Sequence, residues 1–331
     1  MKKQGLIFIL TLALTCAGNL STLSVQAATD TQTEAAADQA SEAFAVSGIA
    51  KDGKGGMYLA DRVHHVLRIR TKNGTYQVLA GKADKSGYKN GSAASARFNA
   101  PWDVVAYQGG WLISDSENHA LRLYKNGKIT TIAGTGKAGY KDATGKKAKF
   151  NRPTGMAEGK NGEIYLADTG NHVIRRIDQN GRVTTYAGGK AGCADGTLKK
   201  ARFLEPTGLY YYQGALYVAD SGNHRICMIK NGKVTTVAGS AKGIEGSQDG
   251  SALKARLSNP QDIFVTKHAV YISDTGNGCV RKLSKGKVTT LIDAFSMNDG
   301  RTPAEPCGLT VQGGKLYVGD IFTEELLELE L

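Results

Sequence analysis

One short pattern recurs along this chain and limits its fold more than any other feature. It appears as Leu59-Ala-Asp-Arg-Val-His-His65, Ile113-Ser-Asp-Ser-Glu-Asn-His119, Leu166-Ala-Asp-Thr-Gly-Asn-His172, Val218-Ala-Asp-Ser-Gly-Asn-His224, Ile272-Ser-Asp-Thr-Gly-Asn-Gly278 and, shortened, Val318-Gly-Asp320. The aspartates are 54, 53, 52, 54 and 46 residues apart. Five of the six prolines, Pro101, Pro153, Pro206, Pro260 and Pro306, stand 14 or 15 residues before one of them. A fixed period of this length marks one supersecondary unit repeated in tandem.

The third unit predicts four short strands. The innermost starts at Gly155-Met-Ala, the second is Glu163-Ile-Tyr-Leu-Ala, the third is Val173-Ile-Arg-Arg-Ile and the outermost is Arg182-Val-Thr-Thr-Tyr. These runs are rich in the β-branched and aromatic residues that suit a pleated, half-buried surface. Asn180-Gly181 between the last two supplies the positive φ angles of a two-residue hairpin, and Asn73-Gly74, Asn126-Gly127, Asn231-Gly232 and Lys285-Gly286 recur at the same place. Four antiparallel strands about every 50 residues make a propeller blade. A lone blade cannot bury both faces, so the blades must stack on one another around an axis. The expected fold is all-β, a six-bladed β-propeller of four-stranded antiparallel blades. Phe98, Phe150, Phe203 and Leu257 are expected to wedge between neighbouring sheets. The sixth unit offers three strands before the chain ends. Its fourth strand must therefore come from residues 28–42, or it has none.

Pro153-Thr-Gly155, then Tyr165-Leu-Ala-Asp-Thr-Gly-Asn-His-Val-Ile-Arg175, then Gly181-Arg-Val-Thr-Thr-Tyr-Ala-Gly188 resemble the repeats of NHL-repeat β-propellers. The resemblance covers essentially all of residues 43–331 and is strongest in units three and four. It implies a binding platform. It also keeps open an axial-site enzyme, because related six-bladed propellers include lyases, lactonases and synthases.

The opening of the chain reads differently. Lys2 and Lys3 precede an apolar run from Leu6 to Leu14, too short to span a bilayer. With Val25-Gln-Ala27 as a small-x-small site, residues 1–27 are expected to be a secretory signal peptide. Thr15 and Ala13 before Cys16 make a poor lipoprotein signal. Residues 28–42 are polar and small, carry four acids and no base, and are expected to be a flexible linker. A secreted, extracytoplasmic and monomeric propeller over 43–331 is therefore the reading. No later stretch is long and apolar enough to be a transmembrane segment. Without its first 42 residues, which hold two lysines and four acids, the chain's net charge rises from +12 to +14.

Candidate functional residues fall in four groups. His65, His119, His172 and His224 share a repeat position. They are spread around the ring and are expected to cap the turn between the second and third strands, not to hold one metal. His64 and His268 alone leave that register, which argues against a zinc lyase. The residues after each proline, Trp102, Thr154, Thr207, Gln261 and Cys307, with Ser47 aligned in unit one, are expected at the channel mouth. The next position holds glycine in four units and Asp103 and Asp262 in units two and five, which face each other. These two could hold a hard cation such as Ca²⁺ or a cationic ligand, or could simply bond nearby backbone N–H groups.

Cys193, Cys227, Cys279 and Cys307 permit disulfides in a secreted chain, with Cys227 and Cys279 on the third strands of adjacent blades. The interblade loops carry Lys82, Lys85, Lys89, Lys137, Lys141, Lys146, Lys147, Lys149, Lys190, Lys199, Lys200, Lys242 and Lys254. Collected on one side of the disc, they would give a basic face for an anionic polymer or a protein partner, with nucleic acid the less expected ligand outside a cell. No nucleophile motif or phosphate loop accompanies them, so no residue is assigned a catalytic role.

Overall fold

Tight turns are where the sequence pattern becomes backbone geometry. At Asn126-Gly127 and Asn231-Gly232 both residues are left-handed, with φ of +50° and +70° and of +50° and +74°. These are the angles of the expected two-residue hairpin. Units one and three depart from it. There only Gly74 and Gly181 are left-handed. In unit three the loop widens to Asp178–Arg182, with the Asp178 carboxylate accepting from the amides of Asn180 and Arg182 at 2.9 Å each.

The computed structural model describes residues 44–293 and 304–331. The expected signal peptide and linker lie outside the described residues. Among the described residues the chain forms six antiparallel sheets arranged as a six-bladed propeller, with four strands in the first, five in the second to fifth and three in the sixth. No helix among them is long and apolar enough to cross a membrane. The third blade is typical. Pro153–Glu158 lies innermost, followed outward by Ile164–Asp168, Val173–Ile177 and Arg182–Gly188.

The fifth strand is new relative to the sequence reading. In the third blade it is Ala143–Thr144, which pairs with Val183 and Arg182. Gly91–Ser92, Gly196–Thr197 and Gly250–Ser251 do the same in their blades. Each belongs to the loop arriving from the previous blade. That loop runs down the outer edge of the new blade and returns antiparallel, with Lys89 opposite Arg97 and Lys141 opposite Lys149, before entering the inner strand. Otherwise exposed sheet edges are thus covered.

The core lies between sheets. Phe98, Phe150, Phe203 and Leu257 are completely buried, as expected. Phe203 packs against Ile174 and Ala187 of blade three and Val218 and Cys227 of blade four. At the axis the inner strands crowd. A Cβ on Gly155 would strike the Thr207 carbonyl, and one on Gly48 would lie 2.5 Å from Asp103 Oδ1, which accounts for the glycines there.

Among the described residues blade six meets blade one through side chains, close packing of the inner strands at Gly308 and Gly48, and one backbone hydrogen bond. The Phe44 amide donates to the Glu324 carbonyl at 3.1 Å. Lys51 reaches the Val311 carbonyl, Gln312 reaches the Gly55 carbonyl, and Arg70 pairs with Glu328.

Candidate functional site

The repeat aspartate is the hub of a buried polar network. In blade three, Asp168 Oδ1 accepts from the Asn151 amide at 2.7 Å, while Oδ2 accepts from Asn171 and from the Arg175 guanidinium at 2.9 and 2.6 Å. Arg175 continues outward to the carbonyls of Lys141 and Lys149 and to the Asp142 carboxylate. Its guanidinium lies between the rings of Tyr140 and Phe150, 5.1 and 5.3 Å from their centroids. Arg122 repeats this arrangement with Asp115, Tyr88 and Phe98. In blade four the arginine is displaced by two positions: Cys227 stands where blades one, two, three and five have arginine, and Arg225, opposite Asp220 in the strand pairing, reaches its carboxylate.

The network was missed in the sequence reading, although its signal is there. Arg68, Arg122, Arg175 and Arg281 each stand seven residues after the repeat aspartate. Buried charge of this kind is tolerated only when paired and hydrogen-bonded, and here it clamps the rim loop to the blade.

The histidines are structural, but their side chains do not cap their own turns. Each is left-handed, with φ from +51° to +59°. Its Nδ1 accepts the backbone amide of the residue before the next blade's proline: Ala100 from His65, Arg152 from His119, Glu205 from His172 and Asn259 from His224, all at 3.0 to 3.1 Å. Those four residues are themselves left-handed, with φ of +46° to +50°, a conformation strained for residues bearing a Cβ. The side chain therefore joins blade to blade. His64 Nδ1 sits 2.9 Å from Asp61, and His268 is exposed in a loop of blade five.

The six residues expected at the channel mouth do not line the axial cavity. Ser47, Thr154, Thr207 and Cys307 are buried. Ser47, Thr154 and Thr207 turn sideways into interblade hydrogen bonds, for example Ser47 Oγ to the Trp102 carbonyl and Thr207 Oγ1 to the Gln261 carbonyl at 2.7 and 2.8 Å, while the Cys307 carbonyl accepts from the Ser273 hydroxyl. Trp102 lies under the Arg62 guanidinium, and the Gln261 amide group bonds Asn259. The hydroxyls of Ser47, Thr154 and Thr207 are consumed where the close-packed inner strands leave carbonyls unpaired.

Asp103 and Asp262 do face a common cavity of about 300 Å³ along the axis. Asp103 accepts from its own Val104 amide and from Met156 of blade three at 2.7 Å each. Asp262 accepts from Leu309 of blade six at 2.8 Å. Burial pushes the Asp103 carboxyl up to about 7. It pushes Asp262 up as well, with repulsion from Asp103 the next contribution. The pair is thus a blade-to-blade clasp. No group of three His, Cys, Asp or Glu side chains converges among the described residues, so a cation between these two would draw the rest of its six to eight oxygens from carbonyls and water.

The four cysteines are free thiols. Cys227 packs in the core between blades three and four, whereas Cys279 turns toward Asp274 of its own blade. Being on adjacent third strands does not bring them together.

Lys85, Lys89, Lys137, Lys141, Lys146, Lys147, Lys199, Lys200 and Lys254 are all exposed. They are not gathered on one flat face. Because the rim loops descend the outer edge and return, Lys146, Lys147, Lys199, Lys200 and Lys254 follow the two-residue rim strands, beside the hairpin of the next blade, while Lys89 and Lys141 sit higher on the descending arm. The basic surface is a belt around the outer wall of blades two to five.

The NHL repeat pattern matches residues 150–177 and 203–227. The chain is 30% identical over 261 residues to Protein SUPPRESSOR OF QUENCHING 1, chloroplastic, of Arabidopsis thaliana, covering 71% of this chain and 24% of that protein. It is 25% identical to human NHL repeat-containing protein 2, covering 83% of this chain and 45% of that protein. The chain therefore spans between a quarter and a half of the length of these relatives. A solved gluconolactonase from Xanthomonas campestris shares the fold, with a TM-score of 0.60, 15% identity, and coverage of 88% of this chain and 87% of that one.

Proposed function

Because the chain is an NHL-repeat β-propeller, we propose that it is a binding module that holds an anionic polymer against the lysine belt of blades two to five. One observation carries this reading. Successive blades present lysines on hairpins clamped from beneath by the Arg–Asp network. Among the described residues none of these lysines is in an ion pair, so their charge is unspent. Summed over four blades, it gives a field of long reach. The charged, apolar opening of the sequence from Lys2 to Ala27 supports export, and extracellular polyanions are the ligands an exported belt would meet.

Retention on a polygalacturonate resin across a salt gradient tests the reading. Neutralising Lys146, Lys147, Lys199 and Lys200 to Gln should flatten the slope of log affinity against log salt by about three to four, roughly one for each lost contact. Neutralising Lys54 and Lys72 of blade one should leave elution close to the unaltered protein. Absence of retention at low salt, or an unchanged slope in the fourfold variant, refutes it.

A further inference from the structure

The hairpin ends of blades four and five enclose a groove of about 410 Å³ that the lysine belt does not include. Lys230, Lys267 and Lys285 line it with His268, Tyr212 and Tyr217, and no Asp or Glu does. All three lysines are exposed, and none is in an ion pair among the described residues. Val237 and Leu283 contribute to its apolar lining. The two tyrosines are only partly buried against the core below.

The groove is open for an identifiable reason. The inner strands of blades two and four end in the same left-handed turn, Tyr107-Gln108-Gly109 and Tyr212-Gln213-Gly214, whereas in blade six Gln312 ends the strand and Gly313-Gly314 make the turn. Gln108 crosses to the Gln179 carbonyl of blade three, and Gln312 crosses to the Gly55 carbonyl of blade one, both at 3.0 Å. Gln213 makes no such bridge and instead lines the groove. Among the described residues, the space between hairpins that Gln108 spans at its junction is left unspanned by Gln213 at this one.

We propose that this groove binds an acidic sugar unit of a polysaccharide. The assignment rests on the reading of the chain as a polyanion-binding module and narrows it to one site. Three ammonium groups without a carboxylate among them would take a carboxylate or sulfate by charge-assisted hydrogen bonds. The tyrosines favour a sugar over a bare anion. Each offers an apolar ring face for the C–H side of a pyranose and a hydroxyl for its ring substituents. The volume falls in the range of small-molecule sites.

Calorimetric titration with a short galacturonic acid oligomer tests the site at about 0.15 M salt, where fields are screened beyond roughly 8 Å. Saturable binding is expected. It should weaken at least about tenfold in a Lys230→Ser, Lys267→Ser double variant and in Tyr212→Ser, as loss of charged hydrogen bonds and of the ring face requires. The fourfold belt variant should bind the oligomer within about twofold of the unaltered protein, because it leaves the groove intact. Circular dichroism of each variant establishes folding. No binding, or undiminished binding by the folded double variant, overturns the proposal. So does equal binding of a neutral galactose oligomer, or tighter binding of polyphosphate or an oligodeoxynucleotide. If the fourfold belt variant keeps the salt slope of the unaltered protein while oligomer binding persists, the belt is lost as a site and the groove stands. The opposite result leaves the belt and removes the groove.

Discussion

His119 shows how much one side chain decides in this repeat. Its backbone closes a 3-10 turn in the left-handed region, and its ring accepts the amide of Arg152 from the next blade. Nδ1 can accept only while the imidazole is neutral. Burial pushes both His65 and His119 below the ordinary histidine value, so the folded state favours the neutral ring. The sign follows. Their contribution is complete above about pH 6.5, the unfolded value, and is lost as pH falls through the lower folded values. The difference in stability between the unaltered protein and a His65→Ala, His119→Ala variant, read from urea denaturation, should include about 2 kcal/mol at pH 8 that shrinks as pH falls below about 6.5. A pH-independent difference would mean that the rings do not act as acceptors. The repeat register made a structural role for these histidines readable. Their acceptor partners were not, because the amides come from residues 33 to 35 positions onward in another blade. The arginines were readable and overlooked: a charged residue inside a strand resembles a solvent-facing position until its aspartate is known to be buried.

At the scale of elements, the four main strands of each unit were legible because β-branched runs, Asn-Gly turns and a fixed period all agreed. The rim hairpins were not. Lys-, Gly- and Ala-rich segments such as 137–149 have little strand propensity. They become ordered by pairing with the outermost strand and by one polar side chain that ties each to the blade, Asn90 in blade two and a carboxylate in blades three to five. Asp142 accepts from Arg175, from the Thr185 amide at 3.0 Å and from the Thr185 hydroxyl at 3.1 Å. Asp195 and Asp249 repeat this with Thr236 and Thr290. Asp142 is 48% exposed, so solvent weakens its pairing, and Asp142→Ala should cost only about 1 kcal/mol overall. Its local effect should be larger. Amide exchange across Lys141–Lys149 should accelerate while the inner strand Pro153–Glu158 keeps its protection. Uniform acceleration would show that the hairpin is not held at that point. The belt lysines depend on this clamp, because charges on a loose loop lose affinity to ordering.

For the whole molecule, the six-unit count was readable and the manner of closure was not, since it depends on side chains far apart in sequence. Arg70 is the clearest of them. It pairs with Glu328 at 2.5 Å, and its guanidinium lies 6.0 and 5.4 Å from the rings of Tyr76 and Tyr317. Blade one and blade six meet on it. Arg70→Ala should therefore speed amide exchange in Val46–Lys51 and Glu325–Glu330 first, leaving blades three and four nearly unchanged. An effect spread evenly around the ring would place closure elsewhere.

Asp103 and Asp262, three blades apart, also change what an occupant of the central cavity experiences. Six blades drawn to one plan would surround it with six equivalent directions. These two acids leave only a pair, related by half a revolution. A guest seated between them has two interchangeable poses, and one whose own ends are alike fits both poses at once.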